Sequence, residues 1–256
     1  MIRLDAVTKK FPNGNVAVHE LTLDVPEGEV CVLVGPSGCG KTTTLRMINR
    51  LIEPSSGRIF LDDEDVTHAK PVELRRRMGY VIQQVGLFPH QTIGTNVATV
   101  PHLLGWPSDR TKARVDELLE LVGLDPGTYR SRYPAQLSGG QRQRVGVARA
   151  LAAQPAMVLM DEPFGALDPL TRDALGADYR ALHDRLGLTT LMVTHDMAEA
   201  VLLAERIVVL GEGRILADGA PAEVLATTSD PRVRDLLEAP RRQAARLQAR
   251  LGGGPA

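Results

Sequence analysis

The hydrophobic pattern at the start of the chain predicts two β-strands. Residues 2–7 and 16–25 alternate apolar and polar side chains, the pattern of a strand with one buried face. Between them lies the turn-forming sequence Pro12-Asn13-Gly14-Asn15, which favours a hairpin. These stretches predict an antiparallel β edge.

A different pattern predicts a parallel sheet further along the chain. Short continuous apolar runs, typical of strands buried on both faces, alternate there with segments of helical spacing. The predicted strands of this sheet cover residues 157–161, 189–194 and 206–210, and further strands are expected over residues 30–34, 58–61 and 78–83. The fold class is therefore α/β, with a parallel-sheet core.

The middle of the chain departs from this alternation. From about residue 84 to 106 the composition shifts to Gly, Pro, His and Asn, and residues 110–123 and 139–153 then show helical spacing. We expect a mostly helical insert over about residues 85–150.

Four smaller features complete the pattern. Leu45, Ile48 and either Leu51 or Ile52 recur on one face of a predicted helix that ends at residues 53–57. Residues 62–65 predict a solvated acidic turn, and short helices are expected over 71–77 and 221–225. The tail from residue 231 combines arginines with a leucine stripe, which predicts a solvated amphipathic helix with a frayed Gly-Gly-Gly-Pro-Ala end.

Composition narrows the class only slightly. The 256 residues suffice for one large domain or two small ones, and 43% hydrophobic with 24% charged residues is ordinary for a globular protein. A formal net charge of −1 gives no argument for nucleic-acid binding. Cys31 and Cys39 are too few for a disulfide framework, which favours a reducing, intracellular setting. We expect no leader peptide, and the apolar runs are too short to cross a bilayer.

The strongest chemical signal is a glycine-rich loop between a predicted strand and a predicted helix. Its sequence is Gly35-Pro36-Ser37-Gly38-Cys39-Gly40-Lys41-Thr42-Thr43, which matches the pattern G-x-x-x-x-G-K-[ST]. Glycines let backbone N–H groups surround an anion, and the helix N-terminus and Lys41 add positive charge. The hydroxyl of Thr42 is suited to the Mg²⁺ that accompanies a nucleoside triphosphate. The loop therefore predicts a phosphate site.

Polar residues follow three of the predicted strands. Asp161 and Glu162 end the run at 157–161, where Asp161 is placed to hold Mg²⁺ opposite Thr42 and Glu162 to polarise a water molecule. His195 ends the strand at 189–194, within expected reach of the γ-phosphate, although a lone histidine is more often structural. Gln83 ends the strand at 78–83, and its spacing does not distinguish it from Gln84.

A second glycine-containing segment opens another helix. Its sequence, Leu137-Ser138-Gly139-Gly140-Gln141, has the form of an anion-binding helix N-terminus and precedes Arg142, Arg144 and Arg149. An ordinary capped helix start explains the same residues. With one Lys-bearing loop and two anion sites, a pair of subunits in which each completes the other's site is one economical solution.

Taken in order, these motifs resemble the nucleotide-binding subunits of ATP-binding-cassette transporters over about residues 1–225. Residues 35–43 match Walker A, 137–141 the signature motif, 157–162 Walker B, and Ala166-Leu167-Asp168 the D-loop. Gln83 matches the Q-loop glutamine, His195 the switch histidine, and Phe11 the aromatic residue that stacks on adenine.

The resemblance implies a P-loop NTPase fold with a helical subdomain, an ATPase domain over residues 1–230 and a tail over 231–256. It further implies ATP and Mg²⁺ as cofactors and a homodimer that sandwiches two ATP molecules, each site completed by the partner's signature residues. Thr42, Gln83 and Asp161 would hold the metal. Permease subunits in the membrane would be the direct partners, an extracytoplasmic solute-binding protein an indirect one, and the location the cytoplasmic face of the membrane.

The segment from residue 78 to 106 resembles ATPases of importers for glycine betaine, choline, carnitine and related quaternary amines. Several members continue into regulatory domains after the cassette, whereas about thirty residues follow it here. An importer for amino acids or another small solute is the alternative. A cassette ATPase acting on nucleic acid or ribosomes is disfavoured by the near-zero charge, and a degenerate regulatory cassette by the presence of all the motif residues.

Overall fold

The computed structural model describes residues 1–251, which contain ten β-strands and eleven α-helices. The strands are β1 (Ile2–Lys10), β2 (Val16–Val25), β3 (Val30–Val34), β4 (Ser56–Leu61), β5 (Glu64–Asp65), β6 (Met78–Val81), β7 (Met157–Asp161), β8 (Thr189–Val193), β9 (Arg206–Gly211) and β10 (Arg214–Gly219). The helices are α1 (Lys41–Ile48), α2 (Pro71–Arg76), α3 (Ile93–Val97), α4 (Thr99–Leu103), α5 (Ser108–Leu121), α6 (Pro126–Tyr129), α7 (Gly139–Leu151), α8 (Pro169–Leu186), α9 (Met197–Leu203), α10 (Pro221–Thr227) and α11 (Pro231–Leu251).

The central sheet has six strands in the order β10-β9-β3-β8-β7-β6. The five strands β9, β3, β8, β7 and β6 run parallel to one another, which confirms the predicted α/β class. The remaining strand, β10, pairs antiparallel with β9. The sequence pattern did not reveal β10, whose residues are mostly half-buried and lack strict alternation.

The two predicted antiparallel strands, β1 and β2, join β4 and β5 in a separate sheet, in the order β2-β1-β4-β5. The acidic turn expected over residues 62–65 is shorter than predicted. Its last two residues form the edge strand β5, in which Glu64 pairs with Leu61 and Asp65 with Phe60. The turn itself consists of Asp62 and Asp63, both with positive φ.

The central sheet is covered on both faces, so its strands carry apolar residues in both directions. On β3, Val32 and Val34 pack with α7, α8 and α9, whereas Cys31 and Leu33 pack with α1 and the antiparallel sheet. This two-sided burial explains why the parallel strands read as continuous apolar runs rather than as alternating ones.

Helix α1 is shorter than the apolar pattern predicted. It ends at Ile48, and Arg50 takes a left-handed φ of 52° while the N–H groups of Leu51 and Ile52 both donate to the carbonyl of Arg46. Leu51 is consequently 50% exposed, whereas Ile52, the alternative to Leu51, is partly buried and packs against the core. A left-handed residue closing the last turn is a common helix ending, and it interrupts the helical spacing of the side chains that follow.

The amphipathic tail helix is present as α11, and its first turns pack against the body of the protein. Val233 and Leu237 are buried beside α9. The predicted frayed end lies in residues 252–256, outside the described residues. Among the described helices, none combines the length and apolar character needed to cross a bilayer.

Candidate functional site

The glycine-rich loop joins β3 to α1 and carries Lys41 at the first position of the helix. The Lys41 Nζ donates to the carbonyl oxygens of Gly35 at 2.7 Å and Pro36 at 3.1 Å, and the side chain is buried. The rim of the loop, residues 36–38, is exposed. The ammonium group therefore lies inside the loop, with the exposed rim available to a ligand.

Two loop glycines occupy backbone conformations that other residues rarely adopt. Gly38 has φ +83° and Gly40 has φ +105°. A Cβ atom on Gly40 would overlap the carbonyl oxygen of Ala17 at the start of β2, whereas the space around Gly38 is open. The antiparallel sheet thus packs directly on the phosphate loop, and Gly40 permits that contact.

Thr42 and Asp161 form the candidate metal position. The Thr42 Oγ1 donates to Asp161 Oδ1 at 2.9 Å, and Asp161 is 3% exposed. Burial raises the pKa of the Asp161 carboxyl, partly opposed by the hydrogen bond from Thr42. Within residues 1–251 no group of three or more His, Cys, Asp or Glu side chains forms a metal cluster. Two oxygen donors suit Mg²⁺, which commonly keeps water and phosphate oxygens as its other ligands.

The register of the parallel strands brings the other predicted residues to one edge. Val81 lies beside Met160, and Asp161 lies beside Val193. Residues one or two positions past these pairs therefore leave the sheet at the same level. They are Gln83, Glu162 and His195, and carboxyl-terminal strand edges are where α/β sheets bind ligands.

Glu162 is the meeting point of these three residues. Its Oε2 accepts a 2.9 Å hydrogen bond from the Gln83 amide and lies 3.2 Å from Nδ1 of His195. Glu162 also has a left-handed φ of 46°, and its N–H donates to the Val193 carbonyl. The contact selects Gln83 over Gln84, a choice that spacing alone left open. The backbone and the hydrogen bond from Gln83 thus orient the carboxylate, and His195 lies in contact with it.

The Ser138–Gln141 segment folds as a capping box at the start of α7. The Ser138 Oγ accepts from the Gln141 N–H at 3.2 Å, and the Gln141 side-chain oxygen accepts from the Ser138 N–H at 3.0 Å. Gln141 also donates to the hydroxyl of Tyr129, a neighbour that the sequence did not indicate. Ser138 and Gly139 are exposed, and in the described part of the chain no hydrogen bond joins residues 138–141 to residues 35–43. One chain therefore does not bring its two glycine motifs into contact.

Gly139 and Gly140 instead face the segment that precedes and begins α8. A Cβ atom on Gly139 would contact Leu167, and one on Gly140 would overlap Thr171. Asp168 caps α8 by accepting from the Thr171 N–H at 3.0 Å, and the hydrogen bonds from Thr171 lower the pKa of the Asp168 carboxyl. Asp168 is thus an exposed anion beside the signature glycines.

Phe11 lies in the turn between β1 and β2, where the Lys9 ammonium is 5.3 Å from the centre of its ring. The ring is half-buried, so part of it remains available for stacking. Within the described part of the chain, no hydrogen bond or ring contact joins Phe11 to the phosphate loop.

The arginines of α7 are occupied by the protein itself. Arg142 donates to the Leu137 carbonyl, and Arg144 pairs with Asp178 while donating to the Val122 carbonyl. Arg149 donates to the carbonyls of residues 85 and 86, which follow Gln83. They orient the ends of α7 and the loop after β6 rather than presenting free charge. Sequence spacing could not reveal these partners, because all of them except Leu137 are distant along the chain.

Comparisons with known proteins agree with this geometry. Residues 18–165 match the ABC transporter family. The chain is 54% identical to the glycine betaine/carnitine/choline transport ATP-binding protein OpuCA of Bacillus subtilis over 93% of this chain and 62% of that protein. It is 50% identical to the glycine betaine uptake system ATP-binding protein YehX of Escherichia coli, over 93% and 76%.

A solved structure has the same fold. The ATP-binding cassette MJ0796, in a dimeric post-hydrolysis state bound to ADP and Pi, superimposes with a TM-score of 0.77 at 33% identity, over 86% of this chain and 98% of that one. The chain spans about six-tenths of the length of OpuCA. The matched motifs and the shared fold show that the chain belongs to the ABC transporter family.

Proposed function

We propose that this chain is the ATP-hydrolysing subunit of an importer for quaternary ammonium osmoprotectants such as glycine betaine, choline or carnitine. Residues 1–230 form its ATPase domain, with the helical subdomain at about 85–150 inserted in the core, and residues 231–256 form a tail. The observation that carries the ATPase function is the contact of a single Glu162 oxygen with both Gln83 and His195 beside the phosphate loop.

The loop over residues 35–43 binds the phosphates of ATP through its backbone N–H groups, the N-terminus of α1 and Lys41. Phe11 stacks on adenine through its half-exposed ring. Thr42 and Asp161 hold Mg²⁺, with Gln83 as a further oxygen ligand. The ion neutralises charge on the β- and γ-phosphates when bound.

Glu162 acts as the general base that polarises the attacking water. Its carboxylate needs a fixed direction for this role, and the hydrogen bond from Gln83 and the contact with His195 supply that orientation. His195 is 55% exposed, so its outer edge can reach a γ-phosphate while Nδ1 remains near Glu162.

The exposed signature residues support a homodimer as the active form. Ser138, Gly139, Gly140 and Gln141 offer the N-terminus of α7 to an anion, yet no bond joins them to the loop of their own chain among the described residues. In the proposed dimer they complete the partner's ATP site, and Asp168 lies close to that contact. The dimeric MJ0796 cassette supports this arrangement.

The proposed dimer drives membrane-embedded permease subunits from the cytoplasmic face of the membrane as a peripheral protein. ATP favours the closed dimer and ADP the open one, and this difference in affinity drives the conformational change of the permease. A solute-binding protein outside the membrane would deliver the cargo to the permease. Nucleic acid is not an expected partner.

The cargo assignment rests on the names of OpuCA and YehX, at 54% and 50% identity. An importer for an amino acid or another small solute is the second candidate, because the ATPase does not touch the cargo. Uptake into proteoliposomes with the cognate permease distinguishes them. Entry of labelled glycine betaine or choline supports the first candidate, and uptake of labelled amino acids alone supports the second.

Hydrolysis is tested with Glu162→Gln, which keeps an oxygen for the hydrogen bond from Gln83 but removes the base. We expect ATP binding to persist, turnover to fall by about 10²–10⁴-fold, and a stable dimer to accumulate with ATP. Glu27→Gln, an exposed change near β3, is the matched control. Hydrolysis at the wild-type rate in Glu162→Gln would exclude Glu162 as the base. Stimulation by nucleic acid instead of by the permease would contradict the transport function.

A further inference from the structure

Arg172, in the first turn of α8, joins the two loops that flank Glu162. Its Nη1 lies 2.5 Å from Asp196 Oδ2, and its Nη2 donates to the Leu167 carbonyl at 3.3 Å. Asp196 directly follows His195, and Leu167 directly precedes Asp168. One guanidinium group therefore connects the loop carrying His195 with the loop that runs from Glu162 to Asp168.

The loop on the Glu162 side is a continuous series of turns. The Gly165 N–H donates to the Glu162 carbonyl at 3.3 Å, and the Leu167 N–H donates to the Phe164 carbonyl at 3.1 Å. Arg172 binds the far end of this series at Leu167. We expect a displacement at that end to reach the backbone of Glu162 through these turns, because few freely rotating residues separate the two points.

On the His195 side, hydrogen bonds anchor both residues next to the histidine, Thr194 and Asp196. Asp196 caps α9, since its Oδ1 accepts from the N–H groups of Ala198 and Glu199 at 2.9 and 3.2 Å. Its own N–H donates to the Thr194 hydroxyl, which in turn donates to the buried Glu199 at 2.6 Å. His195 is thus the exposed residue between two anchored ones, and Asp196 is the anchor that Arg172 contacts.

We propose that Arg172 is a positioning residue for hydrolysis, an inference that rests on the proposed ATPase function. Through Asp196 it holds His195 near Glu162, and through Leu167 it holds the turn that Glu162 begins. The two loops then move as one unit. The ion pair is only partly buried, at 27% and 28% side-chain exposure, so its energy contribution is modest and its geometric effect is the larger one.

Steady-state kinetics test this role with Arg172→Gln and Asp196→Asn, the latter retaining an oxygen to cap α9. Each change should lower kcat by about tenfold or more while the KM for Mg-ATP changes less than about twofold. Because both changes break the same contact, the double variant should be no slower than the slower single variant. Arg172→Lys, which retains the charge, should restore most of the lost activity.

The matched control is Arg180→Gln, two turns further along α8. Arg180 also forms ion pairs, with Asp184 and Glu205, but it contacts neither flanking loop. Its removal should leave kcat near the wild-type value. Equal losses in Arg172→Gln and Arg180→Gln, or losses that multiply in the double variant, would overturn the proposal.

Hydrogen exchange measured on the same purified variants separates this inference from the proposed function. Arg172→Gln should speed amide exchange in residues 162–168 and 194–200 by at least about threefold relative to Arg180→Gln. Absence of hydrolysis in the wild type would overturn the ATPase proposal alone, and the exchange result would still decide the coupling. Unchanged exchange in both segments refutes the role of Arg172.

Discussion

Glu199 is a buried carboxyl whose replacement by glutamine should change how protein stability depends on pH. The side chain is 7% exposed, its Oε2 accepts from the Thr194 hydroxyl at 2.6 Å, and its Oε1 has no partner among the described residues. Burial raises the pKa of Glu199 to about 7 with a smaller contribution from the charge of Asp196, while the hydrogen bond from Thr194 and the charges of Arg172 and His195 oppose the rise. The folded protein therefore keeps a proton on Glu199 at pH values where the unfolded chain has released it.

The sign and size of the stability change follow from the pKa of Glu199 in the unfolded chain, 4.5, and in the folded protein, about 7. Below about pH 4.5 Glu199 is protonated in both states and imposes no cost. As pH rises from 4.5 through 7 the unfolded chain gains by ionising, so the stability of the folded protein falls by up to about 3 kcal/mol. Glutamine cannot ionise. We therefore expect the stability advantage of Glu199→Gln over the wild type to grow from less than about 1 kcal/mol at pH 5 to about 3 kcal/mol at pH 8.

Urea unfolding at a series of pH values between 5 and 8.5, followed by far-ultraviolet circular dichroism, measures this difference. Glu120→Gln, on the exposed face of α5, is the matched control and should stay within about 0.5 kcal/mol of the wild type at every pH. A stability difference for Glu199→Gln that does not change with pH would refute the reasoning. So would a variant less stable than the wild type at pH 8.

Two further predictions concern the phosphate loop. Lys41→Ala removes the ammonium group inside the loop, so ATP affinity measured by fluorescent-nucleotide titration should fall by at least about tenfold, and unchanged affinity would contradict the phosphate assignment. Gly40→Ala should be more destabilising than Gly38→Ala in thermal unfolding, because both carry left-handed strain of about 1–2 kcal/mol but only Gly40 also meets the Ala17 carbonyl. Equal melting temperatures for the two variants would show that β2 does not pack on the loop as described.

Local sequence was sufficient for the features that depend on neighbouring residues. The alternating pattern predicted β1 and β2, and the continuous apolar runs predicted β3, β7, β8 and β9. The spacing of apolar residues in a strand depends directly on whether one or both of its faces are buried. The glycine loop was likewise recognisable, since its conformation and charge come from adjacent residues. The sequence missed β10 and the β4–β5 pairing, and it extended α1 past its end at Ile48.

The sequence by itself determined the class of the fold and the types of residue available for phosphate chemistry. Only the tertiary structure decided which of them meet. Strand register brings Gln83 rather than Gln84 to Glu162, together with His195, across 79 residues of chain in the first case. The link from Arg172 to Asp196, and the burial of Glu199, likewise depend on the packing of α8 against α9. Contacts between distant segments leave no spacing pattern, so the positions of side chains around the site could be known only after the chain was folded.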